Sequence, residues 1–327
     1  MKATSFPLLI SAITLLSACN KSNHSDSNAV NVYMAGSINQ SSFYWKNGKQ
    51  FPLQGSSISS PTPMALHGND LYTVGPGTEW NGDTTLYWIN EKRYPLAIDQ
   101  AGYLTGIAAS GNSIYIVGTT GPSLGFAEVW KNGIPSIISD LSEQSTATGI
   151  SISGNDVYVS GKTNNNFHNS AVYWKNKQKI ILSDTSENAG TSSILISGSD
   201  VYVTGYIVES TGSIKILYWK NGVPVVLADS LFANVYKIAV SGNDVYVAGT
   251  VGNAICYWKN GVRTNLASNI IVNNAVDLAV YNGDVYVCGS YFQYGDFVSG
   301  YWKNDKFFPI TDPPYGCLIN SILVSSQ

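Results

Sequence analysis

One aromatic pair recurs seven times along this chain, and its spacing limits the possible folds more than any other feature. Tyrosines at Tyr33, Tyr72, Tyr115, Tyr158, Tyr202, Tyr246 and Tyr286 sit in Val-Tyr-Val-x-Gly or a near variant, 39 to 44 residues apart. Each is followed 12 to 17 residues later by Trp45, Trp88, Trp130, Trp174, Trp219, Trp258 or Trp302, in Tyr-Trp-Lys-Asn-Gly or a near variant. The asparagine of that second marker never varies (Asn47, Asn90, Asn132, Asn176, Asn221, Asn260, Asn304), and glycine follows at Gly48, Gly133, Gly222 and Gly261. Asn-Gly between alternating apolar runs is a hairpin signal, because a type I′ turn needs positive φ at both central residues. The same logic predicts a second tight hairpin at Ser-Gly-Asn-Asp, residues Ser153 to Asp156 and Ser241 to Asp244.

Each unit therefore reads as four short antiparallel strands. Both faces of these strands are apolar or aromatic, as Val245 and Val247 opposing Tyr246 show. A sheet with two dry faces must be covered on both sides. Units of about 43 residues packed radially meet that need, which predicts an all-β, seven-bladed β-propeller of four-stranded antiparallel blades. A β-solenoid is the other repeated all-β solution, but its parallel strands do not need two tight hairpins per repeat. The first unit begins at Val32 with a second strand, and Ile322 to Ser326 matches a first strand. The C-terminal strand is thus expected to complete the N-terminal blade and close the ring.

Segments Gly154 to Gly161, Gly242 to Gly249 and Gly283 to Gly289 resemble the Gly-Asn-x-Tyr-Val-x-Gly units of bacterial β-propeller repeat proteins. The resemblance spans residues 30 to 327 and implies the fold. It implies little about activity, since propellers serve as binding modules, scaffolds and enzymes.

The N-terminus predicts an address. Lys2 precedes an apolar run from Phe6 to Leu16, about 11 residues and well short of the roughly 20 a spanning helix needs. Leu16-Ser17-Ala18-Cys19 resembles the lipobox of bacterial lipoproteins, whose cysteine is acylated and becomes the mature N-terminus. The resulting division is a signal peptide at 1–18, a lipidated Cys19 with a flexible tether at 19–29, and the propeller at 30–327. The membrane is then a partner through the acyl chains on Cys19. By resemblance to lipoprotein sorting, Asn20 points to the outer membrane, with the domain facing either the periplasm or the exterior.

Composition narrows the function. With 18 Lys and Arg against 21 Asp and Glu, a net charge of -3 supplies no basic excess for nucleic acid. The seven register tryptophans read as core. Lys46, Lys131, Lys175, Lys220, Lys259 and Lys303 read as solvated turn residues, with a cationic crown as the other reading. Asp70, Asp156, Asp200, Asp244 and Asp284 read as turn formers, and Asp140, Asp184, Asp229 and Asp312 as capping turns.

Alternating strand direction puts both tight hairpins on one face of the disc and the variable loops on the other, where localised function is expected. Candidate ligand-binding residues there are the off-register aromatics Trp80, Tyr103, Tyr236, Tyr294 and Tyr315. A position just ahead of each first strand, Pro63, Gly106, Gly149, Ser193, Lys237, Asp277 and Ser321, should ring the channel mouth. Lys237 and Asp277 join the candidates, with a salt bridge between them expected. Cys256 and Cys288 read as buried thiols, while Cys317 in the last loop leaves a disulfide to Cys288 open.

Three histidines assemble no catalytic triad or metal site, and no nucleotide or calcium loop occurs, so no cofactor, metal or catalytic residue is expected. The resulting expectation is a monomeric, non-catalytic binding or scaffold lipoprotein that recognises a glycan or protein. The alternative is a polysaccharide lyase or hydrolase drawing acids from Glu79, Asp83, Asp277 and Asp296.

Overall fold

The computed structural model describes residues 30–327 apart from 39–40, 56–62, 80–81, 97–101, 122–124, 165–167, 269–270, 273–276, 294–295 and 311–316. Residues 1–29, for which a signal peptide, a lipidated Cys19 and a tether are expected, lie outside the described residues, as do Trp80, Tyr294 and Tyr315. Seven separate antiparallel sheets form the blades of a propeller, and no helix occurs among the described residues. Blade 4 shows the repeat: Gln144–Ser153, Asp156–Asn164, Asn169–Lys175 and Gln178–Ile181 pair in sequence order from the axis outwards. Blade 7 differs in that Ile271–Val272 and Asp277–Tyr281 both pair with Asp284–Gln293.

The core consists of seven clusters, one between each pair of adjacent blades. Every cluster joins the repeat tyrosine of one blade to the repeat tryptophan of the next. Tyr158 packs in the cluster of Trp219, Tyr202 in that of Trp258, and Tyr286 in that of Trp45. The last of these pairs runs from blade 7 back to blade 1. A buried aromatic removes about 150 to 250 Å² from water, a gross stabilisation of roughly 4 to 6 kcal/mol.

A glycine makes this packing possible. At Gly161 an added Cβ would lie 2.1 Å from the carbonyl oxygen of Thr146 and 2.6 Å from the Trp174 ring. Gly205 is caught in the same way between Gly190 and Trp219. The outer edge of the indole therefore abuts bare backbone of the second strand, beside the bulge of the inner strand.

The hairpins correct one expectation. Asn47-Gly48, Asn132-Gly133, Asn221-Gly222 and Asn260-Gly261 have positive φ at both central residues, as a type I′ turn requires. At Gly154-Asn155 and Gly242-Asn243 only the glycine is positive, with φ of 58° and 60°, which is the type II′ pattern. Glycine in the first central position selects that turn. Only Asn282-Gly283 keeps type I′ geometry at this hairpin.

The invariant asparagine does more than tolerate a left-handed backbone. Its Oδ1 accepts the backbone N–H of Val32, Leu71, Ile114, Val157, Val201, Val245 or Val285 at 2.8 to 3.1 Å, so it fastens the outer turn to the second strand in all seven blades. Its Nδ2 donates to Asp70, Asp156, Asp200, Asp244 or Asp284, and to Asn31 in blade 1. Those aspartates are therefore acceptors in a clamp as well as turn residues. In blades 4 to 7 they also pair with Lys175, Lys220, Lys259 and Lys303 at 2.8 to 3.0 Å. Each of these lysines lies over its own blade tyrosine, 5.2 to 5.5 Å from the ring centroid. Charge on this part of the hairpin face is thus balanced within each blade. Asp140 and Asp184 accept the N–H of Ser142 and Ser186 in capping turns.

The closing strand, Cys317–Ser326, pairs with Val30–Ile38 along its whole length, from Val30 opposite Ser326 to Ile38 opposite Cys317. It buries Cys317, Ile319 and Ile322. Cys317 is therefore the first residue of a core strand and not part of a loop. Cys256, Cys288 and Cys317 are free thiols. Burial pushes Cys256 and Cys317 up to about 12, so both stay protonated and unreactive at neutral pH.

Two predictions follow from these contacts. Deleting residues 317–327 removes three buried side chains worth roughly 1.5 to 3 kcal/mol each, against a typical total stability of about 5 to 15 kcal/mol. Thermal melts should show Tm lowered by at least about 10 °C or no cooperative transition, and an unchanged Tm would refute the closure. The second concerns acid. Hydrogen bonds from Lys220, Lys259 and Lys303, then from the asparagine amides, hold Asp200, Asp244 and Asp284 below the usual carboxylate range. A depressed folded pKa contributes stability above the unfolded value, about 3.9, and that contribution is lost as pH falls through the folded value. Between pH 6 and pH 3 the Tm of a D200N/D244N/D284N variant should therefore fall less than that of the wild type.

Candidate functional site

The first strands of the blades form the inner wall, and each runs from the loop face towards the hairpin face. In five of them the register slips by one residue opposite the second strand, between Ala35 and Gly36, Leu104 and Gly106, Ala147 and Gly149, Thr191 and Ser193, and Val235 and Lys237. The slip leaves one extra residue on the inner strand: Asn320, Thr105, Thr148, Ser192 or Tyr236. A bulge of this kind bends the strand and re-aims its side chains. The extra residue and the one after it both come to line an axial cavity of about 510 Å³.

All seven expected ring positions, from Pro63 through Ser321, line this cavity. Tyr206 and Ile214 of blade 5 join them from strand ends that meet the loop face, which places the cavity on the loop-face side. Several bulge hydroxyls serve the fold. Thr105 Oγ1 donates to the Ala147 carbonyl of the next blade at 2.9 Å, and Thr148 Oγ1 lies 2.9 Å from Thr191 Oγ1 across the following interface.

Asp277 and Lys237 are in adjacent blades, with Nζ 3.9 Å from Oδ1. They play different parts. Asp277 is buried; its Oδ2 accepts Ser321 Oγ at 2.9 Å and the Ile322 N–H at 3.0 Å, and its Oδ1 accepts the Leu278 N–H at 2.8 Å. It thus fastens blade 7 to the closing strand. Ser290 and Ser299 assist, Ser290 Oγ accepting the Ile319 N–H at 2.9 Å and Ser299 Oγ donating to the Cys317 carbonyl. Lys237 keeps 46% of its side chain exposed. Tyr236, the bulged residue before it, is largely buried, which pushes its phenol above the ordinary range, and it shares a hydrogen bond with Thr250.

The structure therefore gathers Tyr236, Lys237 and Asp277 at one cavity. Tyr103 is 81% exposed near the loop-face end of the blade 3 inner strand and does not line it. Sequence reasoning found Tyr236 but missed Tyr206, Ile214, Asn234 and the other bulge residues, Thr105, Thr148, Ser192 and Asn320. The available signal was a polar or aromatic residue directly ahead of six of the seven ring positions, as in Thr105-Gly106 and Thr148-Gly149. Of the four acids considered for catalysis, Asp277 alone has a described side chain. Among the described residues no group of three His, Cys, Asp or Glu side chains is placed to hold a metal, and no helix is long and apolar enough to cross a membrane.

No protein-family model and no curated protein matches the sequence. Solved structures share the fold. A puromycin hydrolase S511A mutant complexed with PGG is 9% identical over 77% of this chain and 47% of its own, with a TM-score of 0.55. An acylaminoacyl peptidase is 11% identical over 87% of this chain and 51% of its own, at 0.54. TolB from Acinetobacter baumannii is 12% identical over 90% of this chain and 83% of its own, at 0.50. The chain spans about half the length of the first two. At such identities the likeness establishes the propeller fold and nothing finer.

The division of labour between the two charges is testable by unfolding measurements. Asp277→Ala should cost about 3 kcal/mol, because it strands buried donors on the closing strand. Lys237→Met should change stability by no more than about 0.5 kcal/mol, as expected for a long, half-exposed ion pair. Equal losses would show that the pair acts as one structural salt bridge.

Proposed function

We propose that this protein is a lipid-anchored, non-catalytic binding or scaffold protein of the bacterial cell envelope, which recognises a glycan or a protein through the loop face of its propeller. The observation that carries this reading is the axial cavity. Elsewhere the repeated polar residues are consumed by clamps and turns, whereas here side chains that differ from blade to blade converge on one open space. Its size is within the range of small-molecule sites. A lyase or hydrolase finds less support, since Asp277 already accepts three hydrogen bonds within the fold. Peptidases and TolB sharing the architecture do not decide between these roles.

Topology supports an orientation. Val30 pairs with Ser326 at the open hairpin of blade 1, so the chain enters the propeller on the hairpin face. An anchor on Cys19 would then hold that face towards the bilayer and leave the cavity pointing away from it. The Asn20 context favours the outer membrane.

Two measurements test the proposal. Radiolabelled palmitate should enter the wild-type chain and not Cys19→Ala, which should also leave the membrane fraction. A photocrosslinking residue at Asn234, in the cavity wall, should give a discrete adduct in cells, and the same residue at Lys49 on the hairpin face should not. Adducts from Lys49 alone, or a palmitate-free chain, would overturn the corresponding half of the reading.

A further inference from the structure

The axial cavity is not uniform around its ring, and the asymmetry bears on what it binds. Five ring positions are Pro63, Gly106, Gly149, Ser193 and Ser321, which offer little beyond a hydroxyl or backbone. The other two, Lys237 and Asp277, are the formal charges among the described lining residues. They are not equivalent, because Asp277 is buried and accepts hydrogen bonds from Ser321 Oγ and the backbone N–H groups of Ile322 and Leu278. At 3.9 Å the Lys237 ammonium is beyond hydrogen-bond distance of that carboxylate. Its donors are open to a ligand, and the bulge at Tyr236 is what places Lys237 on the cavity wall.

The surroundings of that cation are specific. Tyr206, packed at the blade 5 to blade 6 interface, lines the cavity with the exposed amide of Asn234 on the adjacent inner strand, while Tyr236 reaches the wall from the blade 6 to blade 7 interface, against which it packs. Leu231 and Phe232, both strongly exposed, stand directly ahead of this stretch. The far side presents Ser192, beside Thr105 and Thr148, whose hydroxyls already bond the Ala147 carbonyl and Thr191 across the blade interfaces. An ammonium suits an anion, aromatic rings suit the apolar face of a sugar ring, and hydroxyls and an amide suit sugar hydroxyls. Inorganic phosphate would meet the cation and leave the aromatic and hydroxyl walls unused. A neutral sugar would make no use of the Lys237 charge.

We infer that the cavity takes a carboxylate-bearing sugar, whose acid group is held by Lys237 and whose ring lies against Tyr206. This inference rests on the loop-face binding reading above and names its ligand class. A cavity of about 510 Å³ holds one or two pyranose rings, so the end of a chain or a short branch fits better than a long stretch of polymer.

The test is a glycan array of matched pairs, with trigalacturonate beside maltotriose and 3′-sialyllactose beside lactose, probed with purified wild-type, Lys237→Met and Lys237→Arg proteins of verified Tm. The expected result is signal confined to the carboxylate members, at least tenfold weaker in Lys237→Met, partly restored in Lys237→Arg, and reduced by added salt. Equal signal from neutral and acidic partners, signal unchanged in Lys237→Met, or no signal from any member would overturn the inference. If no member binds while the Asn234 photocrosslink still forms, the ligand class is wrong and loop-face binding stands. If the crosslink also fails, both fall.

Discussion

The contact on which this molecule depends is the one between a tyrosine of one blade and the tryptophan of the next. A four-stranded blade with two dry faces cannot stand alone in water, because neither face has a polar side to present. The seven interblade clusters solve that problem by making each blade the cover of its neighbour. A row of such units would leave two faces bare, whereas a ring leaves none. The seventh cluster, where Tyr286 meets Trp45, is therefore as necessary as the others, and it explains why the chain delivers its last strand to its first blade.

Much of this was legible from the residues, for a physical reason. Turn chemistry depends on two adjacent residues and core membership on strict recurrence, so Asn221-Gly222 and the seven tryptophans declare themselves in one dimension. What depends on two strands at once did not. The bulge at Thr148 is a mismatch of register between neighbouring strands, and the need for Gly161 appears only when a carbonyl and an indole are seen to approach it from either side. The asparagine clamp was missed for the same reason, since Asn176 and Val157 are 19 residues apart in sequence and adjacent only across the ladder. Cys317 reads in sequence as part of the last loop, yet pairing to Ile38 makes it core.

The candidate site divides along the same line. Ring positions could be found by counting from the repeat, and all seven reach the cavity. Their partnerships could not, because the contrast between a saturated Asp277 and an open Lys237 is set by hydrogen bonds from the closing strand, about 45 residues further along. Tyr103, strongly exposed near the loop face, lies outside the lining of this cavity.

The pairing of Val30 with Ser326 also bears on how the chain acquires its structure. Blades 2 to 7 are built from neighbouring segments and can form by local hairpin zippering, the rapid kind of folding event. Blade 1 cannot, since its innermost strand lies nearly three hundred residues downstream of its partner. During synthesis the backbone groups of Val30–Ile38 remain a bare template for any extended segment that encounters them. The slowest and most aggregation-sensitive interval in the life of this protein is therefore the wait for its own C-terminus.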